Sequence, residues 1–91
     1  MTRAEVATLF QAEALALRAK CGRVEASDLR SLGDRVAQHA PLGPIGLILA
    51  EMVAARRDPG ALRACGDRLQ ASVAAALIPQ PVDLHRVDIH G

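Results

Sequence analysis

Residues 43–57, GPIGLILAEMVAARR, constrain the fold more than any other stretch of the chain. Between Ile45 and Ala55 only Gly46 and Glu51 interrupt the apolar side chains. Gly43 and Pro44 suit an N-cap and a first helical residue, because proline's fixed φ matches the first turn and its missing N–H is not needed there. Ile45, Ile48, Leu49, Met52 and Ala55 follow the i, i+3, i+4, i+7 spacing of one helix face. Leu47, Ala50, Val53 and Ala54 form a second apolar row round the other side. A helix apolar on all sides calls for burial over most of its circumference. A membrane span needs about 20 apolar residues, and this run is far shorter. The element is therefore the centre of a small domain or a helix shared with a second subunit. Arg56 and Arg57 close it, where positive charge suits the C-terminal end of the dipole.

The whole chain has 91 residues, enough for one domain. A domain of that size buries only roughly 60–65% of its unfolded surface, so self-association would add stability. Eleven basic and ten acidic side chains nearly cancel, which removes any overall electrostatic reason to expect nucleic acid or an anionic membrane. The arginines are spread along the sequence and read as ordinary helix surface. Phe10 is the one aromatic residue, so the stacking platforms of single-strand binders are missing. The opening MTRAEVATLF lacks the apolar core of a signal peptide. The expectation is a cytoplasmic protein with Cys21 and Cys65 as free thiols.

In chain order, Thr2-Arg3-Ala4-Glu5 fits a capping box at the start of the first helix. Val6, Leu9, Phe10, Ala14, Leu17 and Cys21 are expected on its inner face, with Glu13 at the rim and Leu15 exposed. Gly22 is placed to take a left-handed C-terminal cap. Ser27 is expected to cap the second helix, and Asp28 to favour its positive end. Leu29, Leu32, Val36 and Ala40 make that helix's buried face, Gly33 permits close approach, and Pro41 ends it. His39 falls near the edge of the face. Asp58 is a good N-cap and Pro59 a good first residue for the fourth helix. Its inner face reads Leu62, Cys65, Gly66, Leu69, Val73 and Ala76.

Residues 22–29, GRVEASDL, resemble the second half of an EF-hand loop, with Gly22 at the sharp turn and Asp28 at the last ligand position. The early ligand positions would be Leu17, Ala19 and Cys21, whose side chains do not bind calcium. Ser27-Asp28-Leu29 is similar to the Asp-Ser-Leu of acyl carrier proteins, which are small helical bundles, but with its first two residues exchanged and without their acidic character.

The two prolines of Ile78-Pro79-Gln80-Pro81 stop the fourth helix. Beyond them the tetrad Val-Asp-aliphatic-His occurs twice, as Val82-Asp83-Leu84-His85 and Val87-Asp88-Ile89-His90. Three readings stand. The tail packs on its own bundle; it adds to a partner's sheet or pairs with its copy in a dimer; or Asp83, His85, Asp88 and His90 hold a transition metal, with His39 as a further ligand. In a strand the two Asp-x-His pairs would oppose each other, so a metal site requires a bend at Arg86. Residues 82–87, VDLHRV, also resemble the VDLHxV segment of a flagellar basal-body family at the rod junction. That resemblance covers six residues and implies an assembly component.

The sequence thus predicts an all-α, small four-helix bundle over residues 1–78, with helices at 3–20, 28–40, 44–57 and 59–77. Short connections make sequential helices antiparallel neighbours. An extended C-terminal tail occupies residues 79–91. No nucleophile with an adjacent base, phosphate loop or zinc-finger spacing is visible. The expected function is a non-enzymatic interaction or assembly subunit without a cofactor. It would bind itself or a protein partner through Leu47, Ala50 and Val53, with Leu84, Val87 and Ile89 of the tail as a second contact. The alternative is a metal-binding or metal-sensing module built on the tail. A DNA-binding regulator ranks third, because Arg30 and Arg35 are offset by Asp28 and Asp34 on the one helix that would read a groove.

Overall fold

A computed structural model of the protein describes residues 2–77. It is an all-α bundle of four helices: α1, Arg3–Lys20; α2, Ala26–Ala37; α3, Gly43–Ala54; and α4, Pro59–Leu77. A single 3-10 turn, Ala40–Leu42, joins α2 to α3. Among the described residues there is no strand.

The helices run alternately up and down. Gly22, just past the end of α1, sits against Pro59 at the start of α4, and Gln70 further along α4 reaches back to Glu13. Asp28 at the start of α2 pairs with Arg18 near the end of α1. Val36, near the end of α2, touches Gly46, near the start of α3. Glu51 late in α3 meets Arg68 in the middle of α4. Each helix is therefore antiparallel to its neighbours, and α4 closes the ring against α1.

Local chemistry sets most of the boundaries. The Thr2 hydroxyl accepts from the Glu5 N–H at 3.1 Å, and the Glu5 carboxylate accepts from the Thr2 N–H at 3.4 Å and its hydroxyl at 3.0 Å. These bonds stabilise the ionised carboxylate. The side-chain bond from Thr2 lowers the Glu5 pKa most, the backbone bond next, and the nearby His39 adds a smaller effect in the same direction. At the other end of α1, Gly22 has φ 78°, the left-handed value that favours glycine. Its N–H donates to Ala19 at 2.9 Å, and the Arg23 N–H donates to Arg18 at 3.1 Å. Together they form a Schellman cap. The Asp58 carboxylate accepts from Gly60 at 3.1 Å and Ala61 at 3.2 Å, capping α4 as expected.

Four boundaries differ from the sequence reading. Ser27 does not cap α2. The helix starts at Ala26 behind Glu25, whose carbonyl already accepts from the Leu29 N–H at 3.2 Å. Ala40 is not part of α2, which ends at Ala37 because Ala40 and Pro41 belong to the following 3-10 turn. In α3, Gly43 is the first helical residue and Leu42 its cap. That helix also stops at Ala54, so Arg56 and Arg57 lie in the connection. There the Asp58 N–H donates to the Ala55 carbonyl at 2.8 Å and turns the chain before Pro59.

The core takes Leu29, Leu32 and Val36 from α2 and Leu62, Cys65, Leu69 and Val73 from α4, as their spacing predicts. From α3 it takes Ile45, Ile48, Leu49 and Met52, with Leu42 beneath. From α1 it takes Leu9, as expected, together with Ala12, Leu15, Ala16 and Ala19, so the buried face is rotated away from the rest of the expected one. Phe10, Ala14, Leu17 and Cys21 are exposed and Val6 is half-buried, whereas Leu15 is buried.

The cause is the approach of α4. A Cβ added to Gly66 would lie 2.9 Å from the Ala16 carbonyl oxygen and 3.1 Å from the Ala19 Cβ. Only a face of small side chains admits a helix that close, so Ala12, Ala16 and Ala19 turn inward and Phe10 turns out. Thr8 is buried on the same side, and its hydroxyl donates to the Ala4 carbonyl at 2.8 Å. Gly33, by contrast, has nothing within 4 Å of an added Cβ, so it is not a site of close approach.

These two glycines should respond oppositely to alanine. Gly66→Ala forces backbone apart and is expected to destabilise the fold by about 1–3 kcal/mol, the usual cost of overpacking. Gly33→Ala meets open space and is expected to stabilise by about 0.5–1 kcal/mol through lost unfolded-state freedom. Urea denaturation of both variants would check the pair. Thr2→Ala should cost about 1 kcal/mol as a lost cap. The Glu5 carboxylate, whose pKa is lowered on folding, supports the fold above its unfolded pKa and loses that contribution as pH falls through the lower folded value. Stability of the wild type should therefore fall more than that of Thr2→Ala across that acid range, as read from thermal melts at stepped pH.

Candidate interaction surface

Helix α3 presents one face to the core and leaves the other bare. Leu47 is 72% exposed and Val53 60% exposed, with Pro44, Ala50 and Ala54 also open to solvent. The expectation that α3 is buried over most of its circumference is thereby corrected. Four large side chains already fill the space between α2 and α4, and among the described residues no further helix covers the outside. The expected partner residues Leu47, Ala50 and Val53 are all exposed on this helix.

Leu47, Ala50 and Val53 carry no charge. Glu51, the one ionisable residue of α3, is exposed one turn on from Leu47 and pairs with Arg68 at 2.6 Å. Arg56 and Arg57 follow the end of the strip, both exposed. Antiparallel packing sets the start of α2 beside the end of α3. A shallow depression there is lined by Ala26, Leu29, Arg30, Val53 and Arg56. The sequence scatters these arginines, and the topology gathers them at one end of the bundle. The ion pairs among the described residues are Arg18–Asp28, Lys20–Asp67 and Arg68–Glu51, so Arg30, Arg56 and Arg57 have no acidic partner among those residues. An exposed apolar patch of this kind, bordered by polar groups, is the usual mark of a contact surface.

A second bare face lies on α1. Phe10 is 62% exposed and Leu17 50%, with Ala14 and Cys21 in line with them. The sequence reading missed it because α1 is apolar on both sides, and spacing alone does not say which side turns inward. The small residues Ala12, Ala16 and Ala19 opposite Gly66 were the available signal.

The remaining candidates separate. Glu13 accepts from the Gln70 amide at 2.9 Å at the α1–α4 seam, so it serves packing. Cys21 is exposed and Cys65 buried in the core, and neither is in a disulfide. His39 is half-buried after the end of α2, and among the described residues no group of three or more His, Cys, Asp or Glu is arranged to hold a metal. Asp83, His85, Asp88 and His90, proposed as metal ligands, lie outside the described residues, as do Leu84, Val87 and Ile89. No described helix is long and apolar enough to cross a membrane. No family model, curated protein or solved structure matches the chain.

The assignment of α1's two faces can be checked directly. Leu15→Ala removes a side chain only 3% exposed and should cost about 2–5 kcal/mol. Phe10→Gln alters a solvent-facing side chain and should shift stability by no more than about 0.5 kcal/mol. Chemical denaturation of the two variants would reverse that order if the expected inner face were the real one.

Proposed function

We propose that the protein is a small, non-catalytic interaction or assembly subunit acting in the cytoplasm. It binds itself or a protein partner through the outer face of α3. The uncharged, exposed strip of Leu47, Ala50 and Val53 carries this reading. Residues 79–91 supply a second contact in the same reading. Burial of Leu47 and Val53 on association would remove from water two large side chains that the fold itself leaves exposed. Each is worth about 1.5–3 kcal/mol when fully buried, before the entropic cost of association. The nearly balanced charge and the absence of stacking aromatics favour a protein partner over nucleic acid.

Native mass spectrometry of untagged protein, together with a thermal melt, tests the surface. A dimer or hetero-complex is expected for the wild type. Leu47→Glu should reduce the complex to monomer while the melt stays cooperative, because that position is exposed in the single chain. A Leu47→Glu protein that keeps the wild-type mass would place the contact elsewhere.

A further inference from the structure

From the open trough between α2 and α3 and the arginines at its end, we infer that this surface receives an acidic amphipathic helix of a partner protein. The apolar side of that helix lies over Ala50, and its carboxylates meet Arg30, Arg56 and Arg57. The inference names the partner's chemistry and rests on α3 being the contact surface proposed above.

The shape of the surface comes first. Ala50 lies between Leu47 and Val53 around α3, with each of them about 60° to one side of it. All three are exposed. Gly46, Ala50 and Val53 form the row nearer α2, because Gly46 meets Val36 and Val53 shares a depression with Ala26, Leu29 and Arg30. Ala26, Arg30 and Gly33 follow the same spacing on α2. An added Cβ at Gly33 would meet nothing within 4 Å, and at Gly46 it would meet only Val36, at an ordinary 3.5 Å. Side chains along the junction are small or absent, so a trough stays open there with Leu47 as its outer wall.

The backbones select the form of the occupant. Their N–H and C=O groups are bonded within the helices, so the trough offers no edge to a strand. An amphipathic helix laid in a groove is the recognition mode that remains. From Pro44 to Arg57 the chain covers about 20 Å at 1.5 Å per residue, which suits an occupant of about 14 residues.

Charge selects its chemistry. Arg30 and Arg56 line the depression at one end of the trough, and Arg57 adjoins Arg56. None of the three is in an ion pair among the described residues. Asp28 is taken by Arg18, and neither Glu25 nor Asp34 pairs with them. At the other end Pro41, Gly43 and Pro44 bear no charge. The surface therefore asks for carboxylates at one end of the occupant and for apolar side chains along the rest. A second copy offering its own α3 does not supply them. In parallel register arginines would meet arginines, in antiparallel register they would meet prolines, and the one carboxylate of α3, Glu51, is held by Arg68. A flat lipid surface would leave the trough unfilled.

The test is selection by mRNA display on the full-length protein. The library consists of helix-forming peptides of about 14 residues, with leucine fixed along one side and the other positions randomised over Asp, Glu, Lys, Arg, Gln and Ser. Asp and Glu should be enriched at one end of the bound peptides, and binding should shift the amide resonances of Gly46, Ala50 and Val53. Affinity for the best peptide should fall at least about tenfold in Arg30→Glu/Arg56→Glu/Arg57→Glu, whose fold a thermal melt checks. Selection on that variant should enrich Lys and Arg at the same positions. Peptides that bind the trough without a charge bias overturn the inference and leave α3 as the contact surface. A homodimer that Leu47→Glu dissociates and the arginine reversal leaves intact does the same, because a second copy then covers the face. The inference also fails if no peptide is enriched, or if the shifts fall on Phe10 and Leu17 instead. Binding to phosphatidylserine vesicles that the arginine reversal abolishes, with no acidic bias in the peptides, would assign the arginines to lipid and overturn it as well.

Discussion

The bundle depends on how closely α4 approaches α1. At Gly66 the two backbones are so near that one added carbon would sit 2.9 Å from a carbonyl oxygen. That distance selects alanine over leucine or phenylalanine on the facing side of α1 and rotates the helix accordingly. Once Ala12, Ala16 and Ala19 are inside, Phe10 and Leu17 are necessarily outside. The largest side chain of α1 is therefore excluded from the core by a glycine on another helix. The seam is finished by polar groups at its rim: Lys20 donates to Gln70 at 3.0 Å, and Gln70 donates to Glu13 at 2.9 Å. Packing at Gly66 sets the register, and the rim bonds follow it.

The same fact explains which parts of the fold were legible in the sequence. Helices α2 and α4 have one apolar side each. Leu29, Leu32 and Val36, and Leu62, Cys65, Leu69 and Val73, went inward as their spacing indicates. The glycine, aspartate and threonine at helix ends acted through bonds with a local cause, so Thr2, Gly22 and Asp58 were legible too. Ser27 was not, because a neighbouring carbonyl had already begun the helix. Helix α1 has two apolar sides, and the choice between them is made by the size of side chains elsewhere in the chain. Periodicity holds no information about a facing helix. The gathering of Arg30, Arg56 and Arg57 was hidden for a similar reason. They are far apart along the chain, and only antiparallel packing makes them neighbours.

The candidate surface on α3 was legible as a second apolar row, but its exposure was not. A helix this apolar is expected to be enclosed, and enclosure requires neighbours on every side. Three other helices cannot supply them: α2 and α4 flank α3, and its outer side has no covering element among the described residues. The run that looks like a central helix is central in sequence and peripheral in the bundle.

Folding alone does not account for that outer side. Leu47, Ala50 and Val53 contribute almost nothing to the core, since the inward row is complete without them. Glutamate, lysine and glutamine form helix about as well as leucine and better than valine. Charged side chains there would leave the helix intact and reduce the tendency to associate. The outer face of α2 shows what such a surface looks like, with Arg30, Asp34 and Arg35 in open solvent. The two helices have the same length and the same antiparallel setting, yet one is clothed in charge and the other is bare. The contrast singles out the bare face as the part of the molecule whose composition answers to something other than the bundle's own stability.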